Sequence, residues 1–252
     1  MARPSMPPYD FQIEPCPPVD QKPSLRPGYN KWKATPLPKF PADASIINWK
    51  YITEGAHGQI RKITFTQKPQ GKEQVACLKL FKPDWPDAFE RERDAYALLL
   101  HRGVHRCIPK ILFQGQLPQW KWNGQTGPKP KDDEDDDENE PLVGGIVMEW
   151  FEGCQRVKFE RMKVPMLQVL GQTLKRILDA GVAHRDIEER NILLVRDPHT
   201  ATFRFVWIDF SEAWSGRNHT RDCVYDWARF RQIVKFETVR FVQRMPANIL
   251  ES

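Results

Sequence analysis

The reading turns on AGVAHRDIEERNILLV, residues 180–195. Ahead of it, Pro165–Ala180 places Leu167, Leu170, Leu174 and Leu178 on one helical face, with proline in the first turn, and Gly181 predicts the stop. Behind it, Ile192–Val195 is an apolar run of strand length. The loop between them displays His184, Arg185 and Asp186, and Asn191 follows the aspartate by five residues. Taken singly, an Asp or an Asn here has an ordinary explanation, because both bend and cap backbone. A second acid then closes the next hairpin. After a turn at Arg196-Asp197-Pro198, the strand Arg204–Phe210 (RFVWIDF) carries Asp209 near its end. The two acids in this order and spacing say more than either does alone.

Working outward, the N-terminal half reads as strands. Trp49–Gly55 and Gln59–Gln67 flank a glycine turn and predict a hairpin, and Val75–Phe81 (VACLKLF) is a third strand. Alternation puts Lys79 on the face of Val75, Cys77 and Phe81, an odd place for a charge without a partner. The less favoured alternative is a solvated edge-strand lysine. Pro86–Arg102 has helical periodicity, and Glu92 falls on its apolar stripe with Phe89, Tyr96 and Leu99, whereas Glu90 points elsewhere. A buried-face acid and a buried-face lysine call for each other. Two strand-like runs follow, at 108–115 and 142–150. The last long helix is expected at about Asp222–Val242, with Cys223, Trp227, Phe230 and Val234 aligned.

Together these features resemble the protein kinase superfamily. His184-Arg185-Asp186 with Asn191 is similar to that family's H-R-D-x-x-x-x-N loop, and Asp209-Phe210-Ser211 is similar to its D-F-G, with serine third. The resemblance covers roughly residues 48–235 and is strongest at 180–211. It implies ATP and Mg²⁺ as cofactors. Asp186 would accept the proton of the attacking hydroxyl, and Asn191 and Asp209 would hold the metal against the phosphates. Lys79 would contact phosphate and pair with Glu92. Thr53-Glu-Gly55-Ala-His-Gly58-Gln-Ile60 is similar to the glycine-rich loop, with Thr53 where the first glycine belongs; a hairpin would want glycine there in any case. Ile60 would lie against adenine, and Met148-Glu149-Trp150 would be the hinge, although Met148 reads equally as core. The fold implied is α+β and bilobal. An antiparallel-sheet N-lobe with one long helix (46–150) would precede a reduced, mostly helical C-lobe (151–252).

Three departures bear on the substrate. Glu188 stands where the family has lysine two residues after the catalytic aspartate; Arg190 could take over that phosphate contact unless Glu188 or Glu189 occupies it. Ser211 replaces the mobile glycine. From Asp209 to the last helix there are only about a dozen residues, with no A-P-E and no second half of a helical lobe. A full peptide-docking platform is therefore not expected, and Asp226 sits where a residue organising the lobe would be. Arg185, which in the family reads a phosphorylated activation loop, has little loop to read.

Composition sets the outer limits. The 252 residues are 40% hydrophobic and 28% charged, which supports a sizeable core. Residues 1–45 hold half of the 22 prolines and predict an unordered tail. The segment at about 117–141 ends in KDDEDDDENE and reads as an inserted acidic loop. That block carries a net charge of −7, which leaves +12 on the rest of a chain whose total is +5. The basic residues are scattered, so no specific nucleic-acid signal emerges. No apolar run approaches a membrane span and no secretory signal is read, so no membrane partner is expected. Five well-separated cysteines suit a reducing compartment, cytoplasmic or nuclear.

Three functions are expected in this order. The first is an Mg-ATP-dependent phosphotransferase acting on a hydroxyl, with Ser or Thr of a protein substrate foremost. The second is a pseudokinase that works as an interaction module. The third is a small-molecule kinase of the aminoglycoside or choline kinase type, against which Arg185 counts, since those enzymes more often have a small residue between the His and the Asp.

Overall fold

The computed structural model describes Tyr9 and residues 36–42, 44–67, 71–82, 84–115, 144–197, 202–215 and 219–243. Most of the Pro-rich segment and all of the acidic insertion at 117–141 lie outside the described residues. The described residues divide between two compact units, one drawn from Lys33–Ala97 and Lys110–Trp150, the other from Met1–Trp32, Leu98–Pro109 and Phe151–Ser252. The architecture is α+β. Among the described residues no helix is long and apolar enough to cross a membrane.

The first unit is built on an antiparallel sheet of five strands: β1 (Ser45–Glu54), β2 (Gly58–Thr66), β3 (Gln74–Phe81), β4 (Ile111–Gly115) and β5 (Gly144–Glu149), in the order β1-β2-β3-β5-β4. Strand β3 is therefore central, and Lys79 is not an edge residue. Its alternation divides two kinds of environment. Ala76, Leu78 and Leu80 join Ile46, Ile63, Phe65, Phe113 and Val147 in one apolar cluster. Lys79 and Phe81 belong to the other face. There Phe81 meets Phe89 of helix α1 (Pro86–His101) edge-on at 5.4 Å. Gly144, cross-strand from Phe81, leaves room for the Phe89 ring, since a Cβ there would stand 3.0 Å from that ring. Gly58 has a similar steric reason: a Cβ would stand 2.0 Å from the Leu80 carbonyl oxygen.

In the second unit, α2 (Val164–Asp179) buries Leu167, Leu170, Leu174 and Ile177. The expected fourth residue of that stripe, Leu178, is half-buried, because the 3.6-residue period returns to Ile177 instead. The helix ends in a Schellman arrangement: Gly181 is left-handed at φ 89, its N–H donates to Leu178, and Val182 N–H donates to Ile177. A small antiparallel sheet of β6 (Gln155–Arg156), β7 (Ile192–Arg196) and β8 (Phe203–Trp207) follows. Strand β6 and the single 3₁₀ turn at Phe159–Arg161 left no readable pattern in the sequence. Strand β8 stops at Trp207 rather than Phe210, and two residues later Asp209 is left-handed at φ 62, which extended pairing cannot contain. Helix α3 (His219–Gln243) packs on α2, where Gly171 lies against the Phe230 ring.

Two pieces of the Pro-rich segment are packed, against the expectation of an unordered tail. Leu37 is buried, Pro38 accepts the N–H of Gln114 at 2.8 Å, and Phe40 meets Phe113, so this stretch covers the open edge of β4. Tyr9 is buried in the other unit. Its N–H donates to Arg161 O, its hydroxyl reaches Arg156 O at 3.4 Å, and the Arg161 guanidinium lies 4.2 Å over its ring.

Candidate active site

In the sheet unit, the Lys79 ammonium donates to Glu92 Oε2 at 2.5 Å, with both side chains almost wholly withdrawn from solvent. Glu90 is exposed, as its place off the stripe requires. The ammonium also lies 5.0 Å over the Phe81 ring. Ile60 is directly cross-strand from Lys79 on β2, and Ile146 on β5. Gly55 and Gly58 close the β1–β2 turn through an N–H to O bond of 2.8 Å. Met148 is buried between Cys77 and Ile111 in the ladder. Glu149 exchanges bonds with the Lys110 backbone, and the Lys62 ammonium lies 4.7 Å over the Trp150 ring.

In the second unit, the loop from His184 to Asn191 is held by three neighbouring elements. His184 is fully buried between Trp207 and Phe210, and its Nε2 bonds the Ile208 carbonyl at 3.0 Å. Burial pushes its pKa below the usual value, against the pull of the Asp209 and Asp186 carboxylates. Arg185 is left-handed at φ 64, and its N–H donates to Asp226 Oδ2 at 3.0 Å; its guanidinium stands 3.8 Å from Asp222. Asp226 was legible as an organising residue, and this bond is how it acts. Its own carboxyl is pushed up by burial, opposed by the backbone N–H groups of Arg185 and His184.

Asp186, Arg190 and Asn191 come together. Asn191 Nδ2 donates to the Asp186 backbone oxygen at 3.0 Å and to its Oδ2 at 2.8 Å. With its nitrogen so engaged, the amide presents its oxygen as the remaining acceptor. Arg190 Nη2 reaches Oδ1 and Oδ2 of Asp186, at 3.1 and 2.8 Å. The acids expected to compete for Arg190 are engaged elsewhere: Glu188 pairs with Arg229 of α3, and Glu189 with Lys158 and the Phe159 N–H. Arg229 was not singled out from the sequence, although its place three residues after Asp226 on one helix was a usable signal.

Asp209 is tied to the same loop through the backbone, since Ile208 N–H donates to Asn191 O at 2.9 Å. Ser211 is buried, and its hydroxyl donates to Asp209 Oδ1 at 2.6 Å, so the serine fixes the carboxylate it follows. A two-bond bridge between Ala183 and Trp214 then returns the chain to the start of the loop. Only nine residues separate Asp209 from α3.

Residues 148–250 match the model of the lipopolysaccharide kinase (Kdo/WaaP) family. No curated protein matches the chain. That match covers the catalytic-type loop, Asp209 and α3, and over these residues the chain is similar to a kinase family of the protein-kinase-like superfamily.

Proposed function

We propose that the protein transfers the γ-phosphate of Mg-ATP to a hydroxyl, and that the hydroxyl belongs to a sugar. The observation that carries this reading is the joint placement of Asp186, Asn191 and Asp209, locked by the Asn191 amide and the Asn191–Ile208 bond. The donor set fits the metal: a carboxylate and an amide oxygen are hard ligands, and Mg²⁺ ordinarily completes its octahedron with phosphate oxygens and water. Among the described residues no cluster of three or more His, Cys, Asp or Glu could hold a metal by itself, which is compatible with a site completed by phosphates. When bound, the ion would neutralise charge on the transferring phosphoryl group. Asp186 would receive the acceptor proton as that oxygen attacks phosphorus and the bond to ADP breaks. Lys79, oriented by Glu92, would steady the remaining phosphates.

A sugar is preferred over the protein Ser or Thr favoured by the sequence for two reasons. The matching family is named for lipopolysaccharide kinases. The nine residues after Asp209 are also too few for an extended peptide platform. The pseudokinase reading keeps one specific observation in its favour, because Arg190 occupies both oxygens of the carboxylate that must act as base.

Thermal unfolding with and without Mg-ATP separates the readings. Ligand at a hundred times its Kd stabilises by about 2.7 kcal/mol, a shift of several degrees. The shift is expected in the wild type and not in Asp209→Ala, while Asp186→Asn keeps the shift and loses transfer by about 10²-fold or more. A wild type indifferent to millimolar Mg-ATP would sink the phosphotransferase reading.

A further inference from the structure

The tip of the β1–β2 turn is tied to the connection between β3 and α1, wholly within the first unit. The Lys82 N–H donates to the His57 carbonyl at 3.0 Å. The Lys82 ammonium pairs with Glu54 Oε1 at 2.5 Å. The His57 ring stands edge-on to Trp85, with centroids 4.9 Å apart and planes at 78°. The connection is itself braced: Trp85 N–H donates to Lys82 O, Ala88 N–H donates to Trp85 O, and Pro86 opens α1 with a fixed φ. Trp85 is 45% exposed, so it is not a core residue. The turn has use for outside support, because Thr53 stands where a third glycine would be and its own closure is the Gly55 N–H to Gly58 O bond. Its two glycines face different surroundings. A Cβ on Gly58 would strike the Leu80 carbonyl, whereas one on Gly55 would meet nothing nearer than the Gly58 oxygen, at 3.9 Å. The Gly55 side is therefore open, above the strand pair that carries Ile60 and Lys79. Helix α1 carries Glu92, so the connection that braces the turn also leads into the helix that orients Lys79.

We propose that His57, Trp85 and the Glu54–Lys82 pair form a latch that holds the glycine turn in its nucleotide-binding shape, with Trp85 and Glu54 as positioning residues for the phosphates of Mg-ATP. A turn held before the ligand arrives has less freedom to lose on binding, and affinity gains by that difference. The inference rests on the Mg-ATP phosphotransferase reading and concerns its nucleotide side, whatever the acceptor. Glu54 gives it a definite sign. An acid near phosphates repels them, so by charge alone its removal tightens ATP binding. As half of the latch, its removal weakens ATP binding.

The test is titration calorimetry of Mg-ATP on the full chain, comparing the wild type with Trp85→Ala, Trp85→Phe and Glu54→Ala. Hydrogen exchange at the Lys82 amide is read alongside, without nucleotide. Both positions are partly exposed, so neither change empties the core. Trp85→Ala should raise the Kd about fivefold or more. Trp85→Phe keeps an aromatic ring for His57 and should stay within about twofold of the wild type. Glu54→Ala should raise the Kd about threefold, and it carries the test by itself if Trp85→Ala fails to fold. Exchange at Lys82 should accelerate about tenfold in Trp85→Ala, because the bond to His57 O then opens more often. Tighter ATP binding in Glu54→Ala, unchanged binding or unchanged Lys82 exchange in Trp85→Ala, or a phenylalanine variant as weak as the alanine one would overturn the latch. A wild type that binds Mg-ATP no better than its variants overturns the latch alone. A wild type that binds none overturns the phosphotransferase reading and the latch with it.

Discussion

Asp226 on α3 accepts the backbone N–H of Arg185 at 3.0 Å, and Arg185 is held left-handed at φ 64. An arginine in that region costs on the order of 1–3 kcal/mol. The acid is fully buried, where burial itself disfavours its charge. Two unfavourable local choices support each other, and together they turn the chain so that Asp186 follows a fixed bend. Asp226→Ala strands the Arg185 N–H and should destabilise by about 1–3 kcal/mol, whereas Asp226→Asn keeps an acceptor oxygen and should cost less. Urea unfolding of both variants checks this; an alanine variant as stable as the wild type would contradict it.

The Lys79–Glu92 pair is expected to behave as a buried pair does, costly to break and cheap to replace. Removing one partner as Lys79→Ala or Glu92→Ala leaves a buried charge and should destabilise by about 3–5 kcal/mol. The double variant Lys79→Met with Glu92→Leu should recover most of that loss while abolishing the response to Mg-ATP. Non-additivity in a denaturation double-mutant cycle is the readout, and additive losses would mean the pair is not coupled.

His184 predicts an acid weakness with a definite sign. Its folded pKa is depressed by burial below 6.5, so in acid the unfolded chain binds a proton that the folded chain refuses. Stability is then fully present above about pH 6.5 and falls as pH drops below it, by at most about 1.4 kcal/mol per pH unit. Asp226, with a raised pKa, acts in the opposite direction, because its folded form takes up a proton more readily. The His184 contribution is isolated by comparison with His184→Asn. The stability advantage of the wild type should shrink from pH 7 to pH 5, and parallel curves would refute the assignment.

The catalytic-type loop was legible in the sequence because it combines types that serve different needs in a fixed order: Asp186, Asn191 and Asp209 at a helix–loop–strand junction. Lys79 and Glu92 were legible for a different reason, since each is a charge on an apolar stripe and neither is affordable alone. The position of Lys79 at the sheet centre was not readable, because strand order depends on which distant segments pair, and β5 arrives from beyond the acidic insertion. The Arg190–Asp186 clamp was hidden as well. Three neighbouring charges at 188–190 offer several pairings, and the choice is made by Arg229 and Lys158 from remote elements. Tyr9 gave no signal, since one aromatic residue among prolines has no period.

The contact between α2 and α3 offers a way to disturb the loop without touching it. A Cβ on Gly171 would come within 2.8 Å of the Phe230 ring, and Phe230 is itself buried. Alanine favours a helix over glycine by about 1 kcal/mol, but overpacking a closed interface costs about 1–3 kcal/mol. The net effect of Gly171→Ala should be destabilising. Phe230 is one turn along α3 from Asp226, so a displaced ring also shifts the acceptor of the Arg185 N–H. Hydrogen exchange at Arg185 should therefore accelerate in Gly171→Ala more than exchange within the β1–β2 pair of the other unit. Phe230→Leu on the same background should relieve the crowding and restore Arg185 protection, making the pair of substitutions better than Gly171→Ala alone. If protection at Arg185 is unchanged while global stability falls, α3 does not transmit the strain to the loop, and the link through Asp226 fails.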